Sequence, residues 1–206
     1  MQPFTILTAV AAPLVRDNID TDAIIPSREM KTVTKVGLSD GLFAGWRYTE
    51  IGGREIDPGF VLNLPAYRGA EILLGGSNFG CGSSREHAVW ALAEYGFRAI
   101  LAPSFAPIFQ ANCVRNGIAP VPLPAEAIAH IAALAASEPQ SERVTVNLQT
   151  CVVTAPDGVT TPFQIDAEAR EMLLEGLDGI DLTLKARDRI TAFRDQDKLL
   201  RPWIYL

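Results

Sequence analysis

Short apolar runs, separated by glycine-rich and proline-rich turns, dominate the first two thirds of the chain. The runs at residues 70–74, 99–102 and 118–123 have the length and composition of buried strands. Apolar residues recur at helical spacing over residues 88–95 and 125–137. Strands that alternate with helices favour parallel pairing through crossover helices. We therefore expect an α/β fold with a mixed or parallel central sheet flanked by helices.

The remaining patterns predict elements around this sheet. Three further segments are expected to contribute strands, residues 4–14, 46–65 and 144–154. Three further helices are expected over residues 104–112, 166–174 and 184–193, with Ser104 as the N-cap of the first. Residues 16–26 are rich in Asp and Asn and are expected to form a loop.

Nothing in the sequence divides the chain into parts. The 206 residues contain no internal repeat and no low-complexity segment, so we expect a single domain over residues 1–206. The tail at about residues 185–206 ends in an apolar stretch that contains Leu199, Trp203 and Ile204. Because an exposed apolar terminus often packs on a partner, this tail is predicted to be a docking segment.

Residues 75–87 form a glycine-rich turn between the strand at 70–74 and the helix that follows it. In one interpretation Ser83 and Glu86 form a capping box, and the glycines only permit a tight turn. In the other, the hydroxyls of Ser83 and Ser84 and the planar guanidinium of Arg85 bind a carboxylate substrate. Nucleotide binding is disfavoured, because Arg85 stands where the dinucleotide fingerprint has a small residue.

Charge and cysteine content narrow the function classes. The net charge is −6 and the basic residues are scattered, which disfavours nucleic acid and anionic membranes as partners. The chain shows neither a signal peptide nor an apolar run long enough to span a bilayer, so the cytoplasm is expected. Cys81, Cys113 and Cys151 lack the close spacing of a disulfide framework or an iron–sulfur site, and no metal site is expected in this chain.

Two polar segments precede the glycine-rich turn. Calcium binding by the aspartates of residues 17–22 is disfavoured, because the glycine and the distal glutamate of an EF-hand loop are missing. Residues 27–40 are expected to be weakly helical or mobile. They contain Arg28 and Lys31, which are candidates to neutralise a substrate carboxylate, although a lone surface cation is usually only solvated.

Two long motifs resemble the aconitase superfamily. Residues 76–88 are similar to the active-site turn of its mobile swivel domain, and residues 17–26 are similar to the other hallmark of that domain. The chain as a whole is identified as a member of the bacterial-type small subunits of 3-isopropylmalate dehydratase. That assignment also rests on matches at residues 41–47, 60–63, 102–109 and 176–184.

This resemblance implies a swivelling β/β/α domain and a split active site. In the family a large partner subunit carries a 4Fe–4S cluster, whose iron acts as the Lewis acid for the leaving hydroxyl. The enzyme converts 2-isopropylmalate to 3-isopropylmalate through a dehydrated intermediate in leucine biosynthesis. This chain itself is expected to hold no cofactor.

The resemblance also assigns roles to residues of the two motifs. Ser83 matches the serine that removes the proton alpha to a carboxylate, and Ser84 and Arg85 match groups that hold substrate carboxylates. Thr21 and Asp22 match residues that complete the pocket. A serine alkoxide needs fixed dipoles and positive charge, which the turn N–H groups, the helix N-terminus and Arg85 are expected to supply.

The substrate and the function class stay open at this point. In the family, residues corresponding to 27–40 form a flexible loop that closes over the substrate and helps select it. Here that segment departs from the commonest bacterial sequence, so citramalate or another alkylmalate is an alternative substrate. A non-catalytic dicarboxylate-binding module that uses the same turn is the alternative from a different class.

Overall fold

The structure, a computed structural model, describes residues 1–30 and 34–205. Over these residues the strands form two four-stranded sheets. The parallel sheet has the order β2-β3-β4-β5, with β2 at Ala11–Pro13, β3 at Ile72–Leu74, β4 at Ala99–Ala102 and β5 at Ala119–Pro122. The antiparallel sheet has the order β1-β6-β7-β8, with β1 at Ile6–Ala9, β6 at Val144–Asn147, β7 at Val152–Thr154 and β8 at Thr160–Pro162.

The described residues also form eight α-helices. They are α1 at Thr21–Ile24, α2 at Ala44–Arg47, α3 at His87–Tyr95, α4 at Pro107–Arg115, α5 at Ala125–Ser137, α6 at Ala167–Glu175, α7 at Gly179–Leu184 and α8 at Arg187–Leu200. Short 3₁₀ turns lie at Ser27–Glu29, Ser39–Gly41, Val61–Asn63, Pro65–Tyr67 and Pro202–Ile204. Among the helices described here, none combines the length and the apolar character that crossing a bilayer requires.

The parallel sheet is buried on both faces. Leu73 and Ile100 pack into an apolar cluster on one side, whereas Ile72, Leu74 and Leu101 pack into a second cluster on the other side. A strand that is covered on both faces needs apolar residues at every position rather than at alternate ones. This explains why β3 and β4 read as continuous apolar runs in the sequence.

The first strands join the two sheets through one stretch of chain. β1 pairs antiparallel with β6, with Ile6 opposite Asn147. After Ala9 the chain leaves that sheet, and β2 pairs parallel with β3, with Ala11 opposite Ile72. One continuous segment is therefore a member of both sheets.

The α/β class with a parallel, helix-flanked sheet is confirmed, and the hairpin predicted at residues 144–154 forms β6 and β7. Residues 46–65 were predicted to contribute strands, which is wrong. That described stretch has only an isolated bridge between Tyr48 and Ile56, followed by 3₁₀ turns. The loop predicted at residues 16–26 contains the single-turn helix α1, because the Asp20 carboxylate accepts a hydrogen bond from the Ala23 N–H at 2.6 Å.

The topology brings several loops to one edge. The strands of the parallel sheet point the same way, and β2, β3 and β4 are neighbours. The segments that follow these three strands must therefore meet at their carboxyl ends, which is where ligands bind in open α/β sheets. These segments contain the two motifs singled out in the sequence.

Candidate active site

The turn after β3 is held on one side by the segment after β2. The backbone N–H of Asn18 donates to the carbonyl of Ser77 at 2.8 Å, and that of Gly80 donates to the carbonyl of Ile19 at 2.7 Å. The carboxylate of Asp17 accepts a hydrogen bond from the Ser77 N–H at 2.7 Å. Asp17 therefore has a structural role in joining the two motifs.

The other side of the turn is held by the segment after β4. The Ser104 hydroxyl accepts from the Asn78 N–H at 2.8 Å, and the Ser104 carbonyl accepts from the Phe79 N–H at 3.0 Å. The buried Phe79 ring packs against Phe105 and Phe109 at centroid distances of 6.3 and 5.6 Å. The prediction that Ser104 caps a helix is wrong, since α4 begins at Pro107 and Ser104 supports the turn instead.

Two glycines of the turn cannot carry a side chain. Gly80 has a φ of +77°, and a Cβ at this position would overlap the ring of Phe109. A Cβ on Gly76 would overlap the carbonyl of Arg16. These glycines are required because other parts of the chain approach the turn closely.

The capping-box interpretation of Ser83 is wrong. Helix α3 begins at His87, and its N-cap, Glu86, makes no side-chain capping hydrogen bond. The Ser83 hydroxyl instead accepts hydrogen bonds from the side-chain Nε–H of Arg85 at 2.9 Å and from its backbone N–H at 3.3 Å. The positive charge nearest to the hydroxyl oxygen is thus a guanidinium, and the helix N-terminus lies further along the chain.

The second motif meets the turn at the same place. The carboxylate of Asp22 pairs with Nη2 of Arg85 at 2.9 Å, and both side chains are exposed. The buried Thr21 hydroxyl accepts from the backbone N–H of Ser83 at 3.1 Å. The structure therefore brings together Ser83, Arg85, Thr21 and Asp22, and it shows Thr21 supporting the backbone of Ser83.

This arrangement suits the binding of a carboxylate. The contacts with Ser83 and Asp22 use two of the five N–H donors of an arginine side chain, which leaves three for a ligand as far as the described residues are concerned. Ser84 is exposed next to Arg85. A guanidinium beside the Ser83 hydroxyl also stabilises the alkoxide form of that oxygen.

Of the two candidate cations, Arg28 and Lys31, the structure describes only Arg28. A narrow crevice beside the turn is lined by Thr21, Ile25, Met30, Arg85 and Ala88. Arg28 is not among these residues, and its side chain lies 3.6 Å from the carboxylate of Glu29. Lys31 lies outside the described residues.

Asn112 is a site residue that sequence reasoning missed. This side chain of α4 is buried, and its Nδ2 group donates to the carbonyl of Ser84 at 3.3 Å. A buried amide within an apolar helix face is the signal that would have pointed to it, because such a group needs a hydrogen-bond partner. Asn112 therefore supports the turn from a third direction.

The cysteines of this chain are not arranged for a cluster. All three are free, and burial raises the pKa of the Cys113 thiol well above its usual value. Across residues 1–30 and 34–205, no group of three or more His, Cys, Asp or Glu side chains is placed to hold a metal ion. The described residues therefore do not fit an iron–sulfur cluster, which requires several thiolates at one point.

A well-formed cavity lies away from this turn. It has a volume of about 740 Å³ and lies between α4, α6 and α7, with Val114, Met172 and Ile180 in its walls. It contains neither Ser83 nor Arg85. Ser84 and Arg85 of the turn are exposed to solvent.

Comparisons with known proteins identify the family of the chain. The sequence profile of the aconitase C-terminal domain matches residues 1–126, and the profile LeuD_N matches residues 129–167. The 3-isopropylmalate dehydratase small subunit of Cupriavidus necator is 58% identical over 205 residues, which cover 100% of this chain and 99% of the relative. This chain belongs to the family of 3-isopropylmalate dehydratase small subunits. The membership predicted from the two motifs is confirmed.

Other members of this small-subunit family agree with the assignment. The small subunit of Paramagnetospirillum magneticum is 49% identical over 204 residues, which cover 99% of this chain and 100% of the relative. The crystal structure of 3-isopropylmalate dehydratase (LeuD) from Methanocaldococcus jannaschii matches with a TM-score of 0.64 and 26% identity, and the match covers 92% of this chain and 99% of that one. The swivel-type fold expected of the family is therefore present.

Proposed function

We propose that this chain is the small subunit of a hydro-lyase that converts 2-isopropylmalate to 3-isopropylmalate in leucine biosynthesis. The contact between Arg85 Nε and the Ser83 hydroxyl at 2.9 Å carries this proposal. This contact places a potential base, Ser83, beside a carboxylate-binding group, Arg85, on a turn that several other segments hold in place. Names of relatives that match over the full chain support the same activity.

Ser83 acts as the base for the proton alpha to a substrate carboxylate. A free serine hydroxyl is a weak base, so its oxygen must first be present as the alkoxide. The guanidinium of Arg85 stabilises that anion, and the Thr21 hydroxyl fixes the Ser83 backbone at 3.1 Å. The alkoxide accepts the proton from one carbon as the double bond forms and the hydroxyl of the adjacent carbon leaves as hydroxide. Ser83 then returns the proton to the carbon that lost the hydroxyl, as hydroxide adds to the carbon that lost the proton.

The remaining site residues bind and orient the substrate. The free donors of Arg85 and the exposed Ser84 hydroxyl hold a carboxylate, and Asp22 orients the guanidinium through its 2.9 Å ion pair. Thr21 and Asp22 complete the pocket on the side of α1. Arg28 and Lys31 are proposed to neutralise a substrate carboxylate. Met30 lines the crevice and offers an apolar contact for an alkyl branch.

The other half of the site belongs to a large partner subunit. The described residues offer no ligand set for a cluster, so the 4Fe–4S cluster is assigned to that partner. The exposed ion pair of Arg85 and Asp22 needs a cover, because the guanidinium stabilises a serine alkoxide strongly only where water is excluded. The three unpaired cysteines agree with assembly in the cytoplasm.

The C-terminal tail is the docking segment for the large subunit. Phe193, Leu199, Leu200 and Trp203 are exposed on α8 and the turn that follows it. The tail is ordered by its own contacts, since Asp197 accepts hydrogen bonds from Arg201 and Tyr205 at 2.7 Å. Residues 1–206 then act as one swivel-type domain, and this tail is its docking segment. Replacing Phe193 and Trp203 with Glu should prevent complex formation in size-exclusion chromatography.

The first test is an assay of this chain alone and with its large subunit, on 2-isopropylmalate and citramalate in parallel. Activity that needs the partner and is confined to isopropylmalate supports the proposal. Activity on citramalate instead moves the substrate to another alkylmalate and leaves the mechanism in place. Tight binding of a dicarboxylate without turnover of either compound would support a binding module.

A second test concerns the base. Ser83→Ala should leave folding and complex formation intact but lower turnover by at least about 100-fold, the order expected for loss of a general base. Ser141→Ala, which changes an exposed serine after α5, is the matched control. A fully active Ser83→Ala complex would remove Ser83 from the mechanism.

A further inference from the structure

One side chain of α3 holds the backbone of residues 37–39. The carboxylate of Glu94 accepts hydrogen bonds from the N–H groups of Gly37 at 2.6 Å, Leu38 at 2.5 Å and Ser39 at 2.8 Å. The Leu38 side chain is buried in the adjacent apolar cluster. Hydrogen bonds to an ionised acceptor are stronger than neutral ones. Glu94 is thus the anchor of this segment on α3.

The same segment also contacts α4. The Lys35 ammonium donates to Oδ1 of Asn116 at 2.9 Å and lies 5.5 Å from the ring centre of Trp90. Nδ2 of Asn116 donates to the carbonyl of Asn112 at 2.9 Å, and Asn112 in turn contacts the carbonyl of Ser84. Residues 35–39 are therefore attached to both helices that support the turn with the proposed base.

A second carboxylate fixes the chain on the other side of Met30. The buried side chain of Glu29 pairs with Nη2 of Arg54 at 2.6 Å. Met30 follows directly and lines the crevice together with Arg85 and Thr21. Gly41, whose N–H donates to the Leu38 carbonyl at 2.9 Å, lies directly against Glu29, since a Cβ on Gly41 would overlap the Glu29 Cβ. The segment anchored by Glu94 therefore packs against the residue next to Met30.

We propose that Glu94 is a positioning residue that acts through the backbone of residues 37–39 to set the width of the crevice between Met30 and Arg85. α3 starts at His87, two residues after Arg85, so the helix that binds residues 37–39 through Glu94 also follows directly on the Arg85 side of the crevice. The effect on catalysis rests on the proposed function, because it requires that Arg85 bind the substrate carboxylate. The anchoring of the backbone does not depend on that function.

The anchoring is tested by amide hydrogen exchange on the full chain. The variants are Glu94→Gln and Glu94→Ala, with Glu138→Gln, at an exposed glutamate after α5, as the matched control. Exchange at Gly37, Leu38 and Ser39 should become at least about tenfold faster in Glu94→Ala, because local opening no longer breaks these bonds. It should change less in Glu94→Gln, which keeps an acceptor oxygen. Unchanged exchange in both variants would overturn the proposal.

The positioning role is tested by kinetics of the complex with the large subunit. KM for 2-isopropylmalate should rise about three- to tenfold in Glu94→Gln while kcat stays within about twofold, since binding geometry is altered and the base is not. Faster exchange with an unchanged KM, or a loss confined to kcat, would overturn the positioning role. If the wild-type complex does not act on 2-isopropylmalate, the proposed function fails, and faster exchange in the variants still supports the anchor.

Discussion

The close contact between Gly80 and the Phe109 ring predicts an unusually costly alanine substitution. Gly80 lies in the glycine-rich turn of residues 75–87 with a φ of +77°, and an added Cβ would overlap the buried ring. A non-glycine residue in the left-handed region costs about 1–2 kcal/mol. Forcing an extra carbon into a packed core costs about 1–3 kcal/mol more. Gly80→Ala should therefore lower the free energy of unfolding by about 2–5 kcal/mol.

A matched glycine separates the two contributions. Gly158 has a similar φ of +87°, but no atom lies within 4 Å of the position of its missing Cβ. Gly158→Ala should thus show only the backbone cost of about 1–2 kcal/mol. Urea denaturation of both variants, followed by circular dichroism, gives the overlap cost as the difference between them. Equal effects would refute the argument that packing on Phe109 holds the turn.

Three further predictions concern single side chains. Arg85→Lys should lower kcat about 10- to 150-fold, measured in the complete complex, because a lysine loses the hydrogen bond to the Ser83 hydroxyl, which is worth about 1.5–3 kcal/mol. Asn112→Ala should cost about 1–3 kcal/mol in urea denaturation, because the carbonyl of Ser84 loses its buried partner. Partial burial of Glu94 opposes its ionisation, but three backbone N–H donors outweigh this and keep its pKa below the usual value. Its contribution to stability is present above the unfolded pKa and is lost as the pH falls through the folded pKa. The difference in urea midpoint between wild type and Glu94→Gln should therefore shrink as the pH falls below about 4.

The central sheet was predictable because its signal is local and strong. β3, β4 and β5 are short apolar runs, and burial on both faces makes each run continuous. Residues 46–65 were misread because the signals Gly52-Gly53 and Pro58-Gly59 place turns without specifying a partner strand. A strand needs a ladder, and this stretch makes only the bridge between Tyr48 and Ile56.

The site shows where local reasoning fails. Ser83 and Glu86 have the spacing of a capping box, but the Ser83 N–H is bound to Thr21, which lies 62 positions earlier in the chain. This long-range contact holds Ser83 outside the helix. Ser104 and Asn112 support the turn in the same way through contacts that only the folded chain creates. The motifs therefore indicated which residues meet, whereas the supporting contacts required the structure.

The passage from β1 to β2 also sets an order of assembly during synthesis. β2 pairs with Ile72–Leu74, so the sheet that carries the turn has all four strands once residue 122 has left the ribosome. β1 can pair with β6 only after Val144–Asn147 has been synthesised. At translation rates of about 5–20 residues per second, β1 stays unpaired for on the order of ten seconds after it emerges. The nascent chain can thus complete the sheet that carries the glycine-rich turn while its first strand is still an open edge.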